Sequence, residues 1–166
     1  MLYKTKKFLT NVRDAIVNPK SFFKKIVADG DLEESMLRAF IYGLIGGVLV
    51  LAFRLIGGAT ITIGSVFSAL IIVPVLAVAL LFIMGGLLML ISEITGGERD
   101  WEIAIKGLAS IFFMYPVILL LNSLAFNCWS VWIISVCVDT WVLYMLYCIS
   151  VYCMHGDRKN IMIVML

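Results

Sequence analysis

The chain has 166 residues, 63% of them hydrophobic, with 13 Lys and Arg against 11 Asp and Glu. Its mean hydropathy of +1.07 lies far outside soluble domains, where about half the residues are apolar, and a soluble core of this size has no room for so many large apolar side chains. Lipid is the expected solvent, and the expected fold is all-α: a polytopic membrane helix bundle with four spanning helices preceded by N-terminal amphipathic interfacial helices.

The opening "MLYKTKKFLTNVRDAIVNPKSFFKK" lacks the continuous apolar core and small-residue cleavage site of a signal peptide, so none is expected. Gly does not follow Met1, which excludes the N-myristoylation pattern. Residues 1–28 hold seven Lys and Arg against a single acid, Asp14. Their apolar residues (Phe8, Leu9, Val12, Ala15, Ile16, then Phe22, Phe23, Ile26, Val27) recur at helical spacing. Basic and apolar faces together predict helices lying in the headgroup layer of an anionic leaflet, with anionic lipid headgroups as the partner of residues 1–28. Asn18 followed by Pro19 predicts a fresh helix start.

"DGDLEES" predicts a break at Gly30 and a capping box, with Asp31 as N-cap and Glu34 three residues on. The first apolar run, Met36 to about Ile56, is long enough to cross roughly 30 Å of hydrocarbon. It contains Ala39, Gly43 and Gly47, a small-residue stripe that lets another helix approach closely, with Gly85 and Gly86 of the second span as suitable partners. That second run, about Ser65 to Ile91, is longer than crossing requires and is expected to tilt or to bend at Pro74.

"GGERDW" reads as the turn between the second and third spans. Gly96 and Gly97 end one helix, Asp100 caps the next, and Trp101 anchors at the interface. The third span runs from about Ile103 to Leu121 and holds Pro116, which bends it; Tyr115 stands ready to offer its hydroxyl to the freed carbonyl. The fourth, Val131 to about Met154, is rich in aromatics, and "HGDRKNIMIVML" is left over, too short to cross. The expected domains are a basic amphipathic interfacial segment (1–30), a four-span helical membrane domain (31–156), and a short C-terminal tail or truncated fifth span (157–166).

Orientation follows from charge. Eight Lys and Arg precede or include Arg38, two more flank the second loop (Arg99, Lys106) and two lie in the tail (Arg158, Lys159); the opposite side has only Arg54. Both termini are therefore expected in the cytoplasm.

Two stretches resemble the YIP family, the Ypt/Rab-interacting membrane proteins, in its short prokaryotic type. "NPKSFFKKI", with Pro19, Phe22 and Phe23, is similar to the family's segment before the first span. "ISEITGGERDWEIAIKGLASIFFMYP", with Gly96, Gly97, Tyr115 and Pro116, is similar to its Gly-Gly turn, small-residue run and Tyr-Pro element. The resemblance implies a five-span bundle, and here the fifth span begins near Asn160 and stops after six apolar residues. It also implies a multi-pass protein of a prokaryotic plasma membrane, since the long N-terminal domain of eukaryotic relatives has no counterpart, and for the same reason Rab binding is not carried over.

One carboxylate, Asp139, falls inside a span, roughly 12 Å below the boundary at Val131. Ionised there it costs about 2.5–3.5 kcal/mol, so it is expected to face protein or water or to be protonated. Arg54 is the only other charge in that half of the membrane. A buried polar pair between Arg54 and Asp139 is therefore expected, with the first and fourth spans as neighbours. No catalytic arrangement is visible: G-x-S-x-G, H-E-x-x-H and a Gly-rich phosphate loop are all missing. Cys128, Cys137, Cys148 and Cys153 show no C-x-x-C spacing and His155 is the only histidine, so no metal or cofactor is expected. Phe residues interleaved with the N-terminal charges favour lipid over nucleic acid.

The leading expectation is a non-enzymatic integral membrane protein that organises or shapes the bilayer or scaffolds partners. The alternative is a small oligomeric transporter or channel using Asp139. A homo-oligomer or another membrane protein is a possible partner.

Overall fold

The structure, a computed structural model, describes residues 13–25, 31–58, 60–125 and 129–165. Four helical stretches are long and apolar enough to cross a membrane: Leu32–Ile56, Ile63–Ile94, Trp101–Leu124 and Ser130–Tyr152. No strand occurs among the described residues. The described residues around 57–62 and 95–100 break the helices where the sequence places turns, and the centre of the third expected break, 126–128, lies outside the described residues.

Residues 13–17 are helical. Asn18 then interrupts the helix, and its side-chain oxygen accepts from the Ser21 N–H at 3.3 Å, starting α1 (Pro19–Lys25) as expected of an Asn-Pro start. The remainder of the expected interfacial segment, 1–12 and 26–30, lies outside the described residues.

The first span is α2 (Leu32–Ile56). Asp31 occupies its N-cap position but makes no side-chain cap bond, and Glu34 pairs with Arg38 at 2.7 Å. The expected capping box is therefore replaced by an ion pair one helical turn apart, on an exposed face where both groups stay in water.

The second span has three parts: α3 (Ile63–Phe67), a π-helical turn (Ser68–Ile72) and α4 (Val73–Ile94). Thr62 and Ser65 form a reciprocal capping box at its start. Proline lacks the N–H that a regular helix needs, and the π turn immediately before Pro74, closed by the Val73 N–H on the Ser68 carbonyl, takes up the irregularity.

The third span meets the same problem at Pro116 with the tighter solution. α5 (Trp101–Ile111) passes through a 3-10 turn (Phe112–Met114) into α6 (Tyr115–Ala125). The Phe112 carbonyl, the one a regular helix would leave to the proline nitrogen, accepts from the Tyr115 N–H. Tyr115 itself makes no side-chain hydrogen bond among the described residues, and its ring lies against Phe112 with centroids 5.3 Å apart. The expected role of its hydroxyl is thus corrected: the backbone satisfies itself.

The fourth span is α7 (Trp129–Tyr152), followed by a short helix α8 (Arg158–Met165). The first span packs on the second and third, the fourth packs mainly on the third, and α1 and α8 both lie against the fourth.

The stripe on the first span makes this packing close. Ala39, Gly43 and Gly47 are all buried. A methyl group on Gly43 would sit 2.7 Å from Ala77 and from the Pro74 backbone, and one on Gly47 would strike the Ala69 carbonyl. Gly46, beside the stripe, faces Pro116 and Leu119. Gly85 and Gly86 are not its partners, because they face Ile105 and Trp101 of the third span. The glycines of span one thus receive the proline-bent stretches of spans two and three.

Candidate functional site

The Phe22–Phe23 pair and the Gly96–Gly97 turn meet at the corner that ends the fourth span, at one end of the bundle, termed the junction side; the opposite end is the far side. Ser92 and Thr95, at the end of the second span, are fully or almost fully buried. Gly96 adopts φ +77°, a conformation that favours glycine, and turns the chain back. The Ser92 hydroxyl donates to the Glu98 carbonyl at 2.9 Å, and the Gly97 N–H donates to the Ser92 carbonyl at 2.8 Å. Asp100 then caps α5, its carboxylate accepting from the N–H groups of Glu102 (2.8 Å) and Ile103 (3.1 Å), as its position predicts.

This turn is stitched to the corner that ends the fourth span. The Glu98 N–H donates to the Met154 carbonyl at 2.7 Å, and the Asp157 N–H to the Thr95 carbonyl at 3.1 Å. Gly97 has no space for a side chain, since a methyl group would lie 2.5 Å from the Met154 carbonyl and 2.9 Å from the Gly156 Cα. Buried backbone groups must find partners. Here the two loops satisfy each other, so neither turn is complete alone. His155 sits at the outside of the corner with φ +54° and its Nδ1 3.4 Å from Glu98 Oε1.

The N-terminal segment docks on the same corner. Phe23 is fully buried, Phe22 nearly so, and their rings meet edge to face at 5.2 Å. The Cys153 thiol, just past the fourth span, donates to the Phe23 carbonyl at 3.5 Å, and burial pushes it up to about 12. Pro19 is buried at the start of the same helix. Lys24 Nζ stands 5.4 Å from the centroid of the Tyr152 ring, and the Arg158 guanidinium 5.6 Å from it. One aromatic ring therefore holds a cation from α1 and a cation from α8.

The site's outer surface is amphipathic. Lys20, Lys24, Arg158 and Lys159 are exposed, and so are Val17 (72%) and Ile163 (74%). Ile161, on the other face of α8, is fully buried. The sequence shows the charges and the Phe pair but not Ser92, Thr95, Met154 or Gly156; the signal available was a Ser and a Thr at the end of an apolar run, where they bind backbone carbonyls.

The other expected sites are placed apart. Pro116 and Tyr115 lie inside the third span, away from Gly96–Gly97. Arg54 and Asp139 are both exposed and form no ion pair with any described residue. The first and fourth spans are not close neighbours, because the second and third fill the sides of span one. No group of His, Cys, Asp and Glu able to hold a metal occurs among the described residues.

Compared with known families, the chain matches the Yip1 domain over residues 13–166. No curated protein and no solved structure matches it.

Proposed function

The chain belongs to the Yip1 domain family, and from that premise we propose that this multi-pass membrane protein is a non-enzymatic organiser of the bilayer, acting through the junction side. In this reading α1 and α8 form a basic platform seated in the headgroup layer of an anionic leaflet. The observation that carries it is the Tyr152 ring flanked by Lys24 and Arg158, which joins two amphipathic helices into one surface. Exposed apolar residues beside those cations (Val17, Met162, Ile163) supply the insertion that charge alone does not. Each Lys or Arg near an anionic surface contributes about 1 kcal/mol, so four of them compete well with bulk counterions.

The positive-inside asymmetry supports a cytoplasmic junction side, with both termini there, in the plasma membrane of a prokaryotic cell. Reconstitution into vesicles with and without phosphatidylglycerol tests the proposal. Vesicles containing the anionic lipid should narrow or tubulate as protein density rises, and purely zwitterionic ones should not. Equal behaviour of the two would count against it.

A further inference from the structure

On the far side, at the end of the bundle opposite the platform, a groove of about 330 Å³ opens between the first three spans, bordered by Gly47, Arg54, Ser65, Ser68, Asn122 and Ser123. Its free hydrogen-bonding capacity is weighted toward donors. Ser65 and Ser123 spend their hydroxyl protons on the carbonyls of Thr62 and Leu120. Asn122 uses its oxygen to accept from Ser135 at 3.1 Å, which leaves its NH₂ group to donate. The Ser68 hydroxyl and the Arg54 guanidinium have no partner among the described residues. The donors that remain on offer are a guanidinium, an amide NH₂ and a hydroxyl, beside the Ser123 hydroxyl oxygen as an acceptor, with no carboxylate in the lining.

We propose that this groove binds the phosphodiester of an anionic phospholipid in the far-side leaflet, with Arg54 as the principal ligand and Asn122 and Ser68 as supporting donors. Depth agrees. Arg54 lies two residues before the end of α2, about 3 Å along the axis from its last residue, which is headgroup level for a spanning helix. A guanidinium matches phosphate oxygens bidentately. The groove's own lining also includes Val50, Leu51, Val73 and Leu119, an apolar wall for the start of an acyl chain beside the headgroup donors. This favours a lipid over a free anion. With no carboxylate to hold a choline ammonium, phosphatidylglycerol is preferred over phosphatidylcholine. The π turn contributes by carrying Ser68, at its first position, to the groove wall.

Native mass spectrometry of the full protein in mild detergent, titrated with phosphatidylglycerol, phosphatidylcholine or inorganic phosphate, tests this. One phosphatidylglycerol should bind more tightly than phosphatidylcholine, and Arg54→Gln should weaken it about tenfold or more. A platform variant with Lys20, Lys24, Arg158 and Lys159 changed to Gln should keep this one lipid, which separates the groove from the proposed function. Should Arg54→Gln fail to fold, the Ser68→Ala/Asn122→Leu pair gives the same reading, with a loss of about threefold or more. Unchanged binding in these groove variants overturns the site. Displacement of the lipid by millimolar inorganic phosphate overturns the lipid assignment in favour of a free anion.

Discussion

The backbone N–H of Glu98 donates to the carbonyl of Met154 at 2.7 Å, closing the turn after the second span onto the corner that ends the fourth. Residues 56 apart in sequence thus share one hydrogen-bonded knot, and the N-terminal helix rests on it through Phe23 and Cys153. Whatever moves the fourth span at this end moves both basic helices with it.

Gly97 is the tightest point of that knot. Gly97→Ala should destabilise the protein by about 1–3 kcal/mol, because its methyl meets backbone on two sides. Gly96→Ala meets nothing within 4 Å and carries only the positive-φ penalty, about 1–2 kcal/mol. Unfolding of the purified protein in mixed micelles should rank Gly97→Ala below Gly96→Ala. The reverse order would mean that the turn is held by conformation and not by contact with Gly156.

The glycine stripe makes a parallel claim inside the membrane. Gly47→Ala places its methyl on the Ala69 carbonyl and should cost about 1–3 kcal/mol. Gly57→Ala, whose methyl meets only its own helix at 3.4 Å, should stay within about 0.5 kcal/mol of wild type. Comparable losses for the two would remove the close approach of the first and second spans.

Cys153 should be chemically silent. Its thiol is pushed from 9.0 to about 12, so the protonated form prevails at neutral pH. Because this folded value lies above the unfolded one, the associated stability is present below pH 9 and is lost as pH climbs from 9 toward 12. In a variant with Cys128, Cys137 and Cys148 changed to Ser, maleimide labelling at pH 8 should be slow, and Phe23→Ala should accelerate it by lifting α1 off the thiol. Fast labelling of the parent would show that α1 does not cover this corner.

Much of this architecture is legible in the sequence because its determinants are local. Hydropathy marks the spans, and Asp100 and Asn18 cap helices at the positions their types and neighbours indicate. What the sequence hides is rotation and order of the helices. Spacing identifies Ala39, Gly43 and Gly47 as a small face, yet only the arrangement shows that it meets Ala69, Pro74 and Ala77 in place of Gly85. Arg54 and Asp139 share a half of the membrane, but the first and fourth spans are held apart by their neighbours. The leftover tail reads as too short to cross, and it folds into α8 because Ile161 finds a buried seat against Gly156.

Asp139 gives the sharpest check on that correction. With both side chains exposed, a double-mutant cycle between Arg54→Gln and Asp139→Asn should show coupling near zero. Asp139→Leu should stabilise the protein in lipid by up to about 3 kcal/mol, since it removes a carboxyl from the membrane-facing surface. Destabilisation on Asp139→Leu would mean that the carboxyl has a partner in the bilayer.

The most direct test of the platform is lateral gathering of lipid. The protein is reconstituted at low density into vesicles holding a minor fraction of self-quenching fluorescent phosphatidylglycerol, and quenching is followed as protein is added. Wild type should increase quenching; changing Lys20, Lys24, Arg158 and Lys159 together to Gln should abolish the increase, and Arg54→Gln on the far side should leave most of it. Equal quenching by the wild type and the four-residue variant would contradict the account.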